Sequence, residues 1–161
     1  MAQNSEWGPP LWLILHMSAE KCGKQPIQML HMDEIRALIH LLEITETILP
    51  CPMCQSHYRK WMKSHPLKSF LDMKSPVRFY DGARSWLWRL HDSINAERGV
   101  NRICMEEANA IYATKTSEDF QQALKKLLEI LDKAKLQRLI DGAFIREWVK
   151  KLTMLRRFIY I

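Results

Sequence analysis

Two prolines flank one cysteine in Leu49-Pro50-Cys51-Pro52-Met53-Cys54, and no helix or sheet strand runs unbroken through that pattern. Proline lacks the backbone N–H and crowds the preceding turn, so a helix arriving from the N-terminal side stops at Pro50. Pro52 suits the first position of a new helix, where an N–H would have no partner. From Gln55 to Ser64 there is no Gly or Pro, and Tyr58, Trp61 and Met62 recur at helical spacing. The chain therefore turns a tight corner between two helices, and two thiols lie in the corner.

A thiol at a helix N-terminus feels the positive end of the macrodipole, which favours thiolate and hence thiol–disulfide exchange. The same residues, with His57 and His65, also suit zinc. Cys22 and Cys104 stand alone, so no second Cys-x-x-Cys completes a standard structural zinc pattern. Nothing around the motif reads as strand, so a thioredoxin-like βαβ setting is excluded. A redox pair here needs another scaffold and another electron carrier.

With 161 residues, five Gly and a spread of Leu, Ile, Met and Trp, the chain predicts an all-α domain with its own core. No run of about 18 apolar residues marks a membrane span. The opening Met1-Ala2-Gln3-Asn4-Ser5-Glu6 lacks a basic patch followed by an apolar segment, so no secretory signal is expected. The formal charge of +6 is partly local, since residues 141–161 carry five Lys/Arg against two acids. A basic helix face is ordinarily a solvated one, and no nucleic-acid-binding motif accompanies it.

Glu6-Trp7-Gly8-Pro9-Pro10 reads as a turn feeding a first helix, capped by Ser5 or Gly8, with Trp12, Leu15, His16 and Ala19 on one face. Asp33 is the expected cap of a second helix reaching about Leu49. The Cys-x-x-Cys helix follows and ends near Ser64-His65-Pro66, and residues 66–76 form a connector. A fourth helix opens at Ser75-Pro76 and holds Trp86-Leu87-Trp88-Arg89-Leu90-His91-Asp92-Ser93-Ile94-Asn95. There His91 and Asn95 share a face below Trp86. Aromatic surface with a few polar donors suits a flat heteroaromatic ligand. Gly99 marks that helix's end, and Cys104 begins a short fifth. Thr116-Ser117-Glu118-Asp119 starts a sixth, with Phe120, Leu124, Leu127 and Leu131 in near-heptad spacing. Asp141-Gly142 separates it from a last amphipathic helix. Residues 116–161 thus read as an appended helical hairpin that packs on the bundle, dimerises, or meets a partner or membrane surface.

Three separated pieces together resemble the Erv/ALR family of FAD-dependent sulfhydryl oxidases. They are Gly8, Trp12, Leu15-His16 and Ala19; Pro50-Cys51-Pro52-Met53-Cys54 with Arg59 and His65-Pro66; and the segment Trp86 to Asn95. They occur in the family's order over roughly residues 7–105. The resemblance implies a compact four- or five-helix bundle over residues 1–115, holding FAD non-covalently and commonly paired as a homodimer. By similarity, Cys51 and Cys54 are the redox pair, and Gly8, Trp12, His16 and Tyr58 serve the cofactor site. Trp86, His91 and Asn95 would hold the adenosine part or the flavin edge. The implied reaction passes electrons from a protein dithiol through Cys51–Cys54 to FAD and then to oxygen, giving hydrogen peroxide.

The sequence departs from the family pattern at several places. Asp92 stands where the family usually has Asn, and Pro9 where it has Arg. Gly99-Val100-Asn101 replaces Gly-Lys-Pro, so Arg98 or Arg102 is the expected substitute for a lost phosphate contact. Trp88 replaces a cysteine often bridged to the equivalent of Cys104, so that structural disulfide should be absent. The chain lacks the extra N-terminal Cys-x-x-Cys of mitochondrial members and looks more like the short forms of large DNA viruses, which points to host cytoplasm or virion. A zinc-stabilised interaction module and a catalytically impaired family member are the competing readings.

Overall fold

The computed structural model describes residues 4–70 and 75–161, and among them every regular element is helical. Part of the expected connector, residues 71–74, lies outside the described residues. The elements are α1 (Asn4–Lys21), α2 (His31–Ile44), α3 (Pro52–Ser64), α4 (Pro76–Glu97), α5 (Met105–Ala113), α6 (Ser117–Leu136) and α7 (Gly142–Ile159). Short 3-10 turns cover Gln28–Leu30, Thr45–Ile48 and Leu67–Phe70.

The first helix starts earlier than its sequence implies. α1 begins at Asn4 and carries Pro9 and Pro10 inside it, so the expected turn at Trp7-Gly8 is a helical turn. Pro9 and Pro10 cannot donate to the carbonyls four residues back, on Ser5 and Glu6. Trp7 and Leu11 are nevertheless buried and hold the first turns against the core. Tertiary burial outweighs the local proline penalty. At α2 the expected cap is also displaced. The 3-10 turn runs straight into the helix, the His31 N–H donates to the Gln28 carbonyl, and Asp33 sits inside the first turn paired with Arg36 at 3.3 Å.

The corner forms as the prolines dictate. Cys51 is extended (φ −142°, ψ 112°) and caps α3, with Pro52 at its first position. Gln55 braces the turn by donating to the Leu49 carbonyl at 2.8 Å. α4 closes with a Schellman turn: Val100 N–H donates to Asn95 O at 2.9 Å and Gly99 N–H to Ala96 O at 3.2 Å. Gly99 takes φ +64° there, a left-handed conformation that glycine adopts without steric cost.

α6 starts where expected, on a capping box in which Thr116 and Asp119 exchange hydrogen bonds. α6 then lies along α1, and α7 lies along α2, so the two C-terminal helices contact the bundle more than each other. Phe120, Leu127, Leu131, Trp148, Leu152 and Leu155 are all buried in the same core as Leu15, Leu38 and Leu87. Trp148 is fully buried and donates its Nε1–H to Thr45 Oγ1 at 3.1 Å. The hydroxyl of Thr45 in turn donates to the Leu41 carbonyl at 2.8 Å, so the indole's polar atom is satisfied inside the core.

Candidate active site

Cys51 and Cys54 form a disulfide with a Cα–Cα separation of 5.2 Å. Both are half-buried, and between them Met53 stands 82% exposed, so the bond lies close to the protein surface. The Cys54 N–H donates to Cys51 Sγ at 3.2 Å. Together with the helix dipole, that donor stabilises charge on Cys51 when the bond opens.

Behind the disulfide lies a cavity of about 530 Å³, within the size range of small-molecule sites. Trp7, Leu11, Trp12 and Leu15 of α1 form one wall, Tyr58 and His57 of α3 another, and Ile94, Glu97 and Arg98 close it from α4. Tyr58 is buried and donates its hydroxyl to the Leu42 carbonyl at 2.7 Å, which fixes the phenol's position. Burial drives its phenol pKa well above the usual tyrosine value, so it stays neutral. Trp7 Nε1 is buried and has no hydrogen-bond partner among the described residues.

A second cluster joins this cavity through Trp12. The Trp12 ring stacks on His91 at 4.1 Å, and His16 stacks on Tyr112 at 4.3 Å. His16 Nε2 lies 3.2 Å from His91 Nδ1, a contact in which one ring donates and the other accepts. Of the residues expected at the cofactor, Cys51, Cys54, Trp12, Tyr58 and Arg98 line the cavity itself, while His16 and His91 stand in the stack behind Trp12. Gly8 does not line the cavity; a Cβ there would meet Asn4 Oδ1 at 2.6 Å, and Asn4 is on the cavity wall. Trp86 is buried beneath, edge-on to Tyr58, and donates to the His65 carbonyl at 2.7 Å. Asn95 contributes its carbonyl to the α4 end.

Asp92 is held by Arg102, which donates to both carboxylate oxygens. The hydrogen bond and charge of that guanidinium keep the Asp92 carboxyl below its usual range. The departure at Asp92 thus carries its own countercharge. Arg102 is committed to it, and Arg98 is the arginine left at the cavity. Cys22 and Cys104 are free, and Trp88 donates to the Ile103 carbonyl at 3.1 Å, tying α4 to the segment that leads to Cys104. The zinc reading finds no support in the geometry. His57 lies 3.3 Å from Glu97 and His65 stacks on Trp61, and among the described residues no three His, Cys, Asp or Glu side chains are grouped to hold a metal.

Residues 9–113 match the Erv1/Alr family. The chain belongs to the Erv1/Alr family. No curated protein and no solved structure matches it significantly. The family implies a sulfhydryl-oxidase-type function, and its members generally bind FAD. Trp7 and Leu11 of this Erv1/Alr chain were missed as wall residues because Glu6-Trp7-Gly8-Pro9-Pro10 reads as a turn, and His57 reads from sequence only as a zinc-ligand candidate. Read from Asn4, Trp7, Leu11 and Leu15 fall at i, i+4 and i+8 and make one ridge.

The paired histidines give this Erv1/Alr protein a pH signature. Burial, reinforced by His91, lowers His16 from 6.5 to about 3, and burial lowers His91 to about 4 against the opposing pull of Asp92. The unfolded chain therefore binds more protons than the folded one between about pH 6.5 and 4. Stability from this pair is complete above about pH 6.5 and is lost on acidification, by on the order of a few kcal/mol at pH 4. Thermal melts from pH 7 to pH 4 should show a falling midpoint, and the slope should flatten in His91→Asn. Equal slopes in the two proteins would refute the assignment.

Proposed function

We propose that this protein is an FAD-linked thiol oxidase that forms disulfides in protein substrates. The observation that carries the reading is the placement of an accessible disulfide, at a helix N-terminus, on the wall of an aromatic cavity. A substrate thiolate attacks Cys51 Sγ, the Cys51–Cys54 bond breaks, and Cys54 leaves as thiolate. The substrate's second thiolate then attacks its own cysteine in the mixed disulfide, and Cys51 leaves as thiolate, stabilised by the Cys54 N–H. The client departs with a disulfide, and Cys51 and Cys54 are left reduced.

The cavity fits a flavin. Trp7, Trp12 and Tyr58 supply apolar ring contacts, and Arg98 and Lys60 supply positive charge for a diphosphate. His16 and His91 extend the site behind Trp12. A bound flavin provides a two-electron acceptor that oxygen reoxidises with release of hydrogen peroxide. The Asp92–Arg102 pair speaks against an impaired member, because the carboxylate introduced at Asp92 carries its own countercharge. We also infer protein dithiols as clients, a homodimer as the working form, and a viral setting in host cytoplasm or virion. Among the described residues no helix is long and apolar enough to cross a membrane.

The test is the visible spectrum of purified protein. A flavin band should bleach when a dithiol is added under nitrogen and return on readmitting air. A colourless protein that takes up no added FAD would overturn the proposal.

A further inference from the structure

His57 has no place in the reaction as derived so far, yet it is a wall residue of the cavity that holds both sulfurs. It follows Cys54 by three positions on α3, a spacing that puts Cβ atoms about 5–6 Å apart on one helix face. Its Nδ1 lies 3.3 Å from Glu97 Oε2, across the cavity mouth on α4. Nε2 has no partner among the described residues. A thiol, an imidazole one helical turn along the same face and a carboxylate on that imidazole's Nδ1 give the order in which bases activate sulfur nucleophiles elsewhere.

We propose that His57 is the proton acceptor and donor for Cys54, with Glu97 as its positioning residue. When the disulfide is reduced, Cys54 leaves as thiolate and takes a proton from His57. When the dithiol is to be reoxidised, Cys54 S–H returns that proton to His57 Nε2 and becomes thiolate, the form able to give up electrons. No net charge is created in the half-buried pocket, because the thiolate is matched by imidazolium.

The charged groups facing His57 are few and define the test. From α4 they are Glu97 and Arg98, from its own helix Lys60, and α1 presents only Asn4 and apolar side chains to the cavity. Glu97 is the one anion among them. Imidazole is the side chain whose proton ordinarily moves between about pH 5 and 8, the range in which a thiol oxidase must make thiolate.

This assignment rests on the proposed thiol-oxidase reading but is measured without flavin turnover. In the C51S background Cys54 titrates alone, free of coupling to a second thiol. The full-length reduced protein is alkylated with iodoacetamide from pH 5 to 9, and modification at Cys54 is followed by mass spectrometry, with Cys104 as internal reference. Adding H57Q should move the Cys54 inflection upward by about one pH unit, seen as about tenfold slower alkylation at pH 6. E97Q, which keeps the imidazole, should give a smaller shift in the same direction. Unchanged Cys54 profiles in either folded variant, with folding checked by circular dichroism, would overturn the role of the residue replaced. A shift found in a protein that never binds FAD would keep the His57–Cys54 pair and discard only the oxidase reading.

Discussion

Replacing Cys54 by Ser should abolish thiol-dependent oxygen consumption while leaving bound flavin in place. The expected loss is about three orders of magnitude or more, because Cys51 and Cys54 act as one unit and removing either removes the disulfide. The fold should survive. A disulfide between residues three apart closes a very short loop and restrains little of the unfolded chain. The flavin band of C54S should therefore match that of the wild-type protein, while dithiol under nitrogen no longer bleaches it. An oxygen electrode and a spectrophotometer check both halves. Turnover retained in C54S would remove Cys51–Cys54 from the reaction, since Cys22 is buried and Cys104 lies outside the cavity.

Ending the chain at residue 115 should unfold it, although the family match ends at residue 113. α6 covers α1, the helix that carries Trp7 and Trp12, and α7 covers α2. Phe120, Leu127, Leu131, Trp148, Leu152 and Leu155 are each less than 2% exposed. At about 1.5–3 kcal/mol per buried side chain, their loss is comparable to the whole net stability of a domain, about 5–15 kcal/mol. The truncated chain should show no cooperative urea transition and no flavin binding. Co-expressing residues 116–161 as a separate chain should restore both. A fragment that folds and binds FAD unaided would make the last two helices an accessory instead of half of the core.

Much of this site is visible in residue order alone. Pro50, Cys51, Pro52 and Cys54 lie within one turn, and the local chemistry of proline and helix ends is enough to place a thiol at a helix N-terminus. Gly99 and Thr116 are readable for the same reason, since caps and breaks depend on a few adjacent residues. Asp33 and the Pro9-Pro10 start misled because burial elsewhere overrode a local preference. Trp7 enters the wall only once α1 is allowed to run through two prolines, and what permits that is the core beneath Trp7 and Leu11.

The sequence by itself determined an all-helical chain, a thiol pair in the corner at Cys51–Cys54 and the three motifs that resemble the Erv1/Alr family. Each of these is written in neighbouring residues or in a helical period, so no distant contact is needed to read it. Only the tertiary structure decided that Arg102 neutralises Asp92 while Arg98 stays at the cavity. It alone set Glu97 beside His57 and buried Trp148 against Thr45, 103 residues away in sequence. Those pairings depend on how helices cross, and the crossings are set by packing the whole core at once.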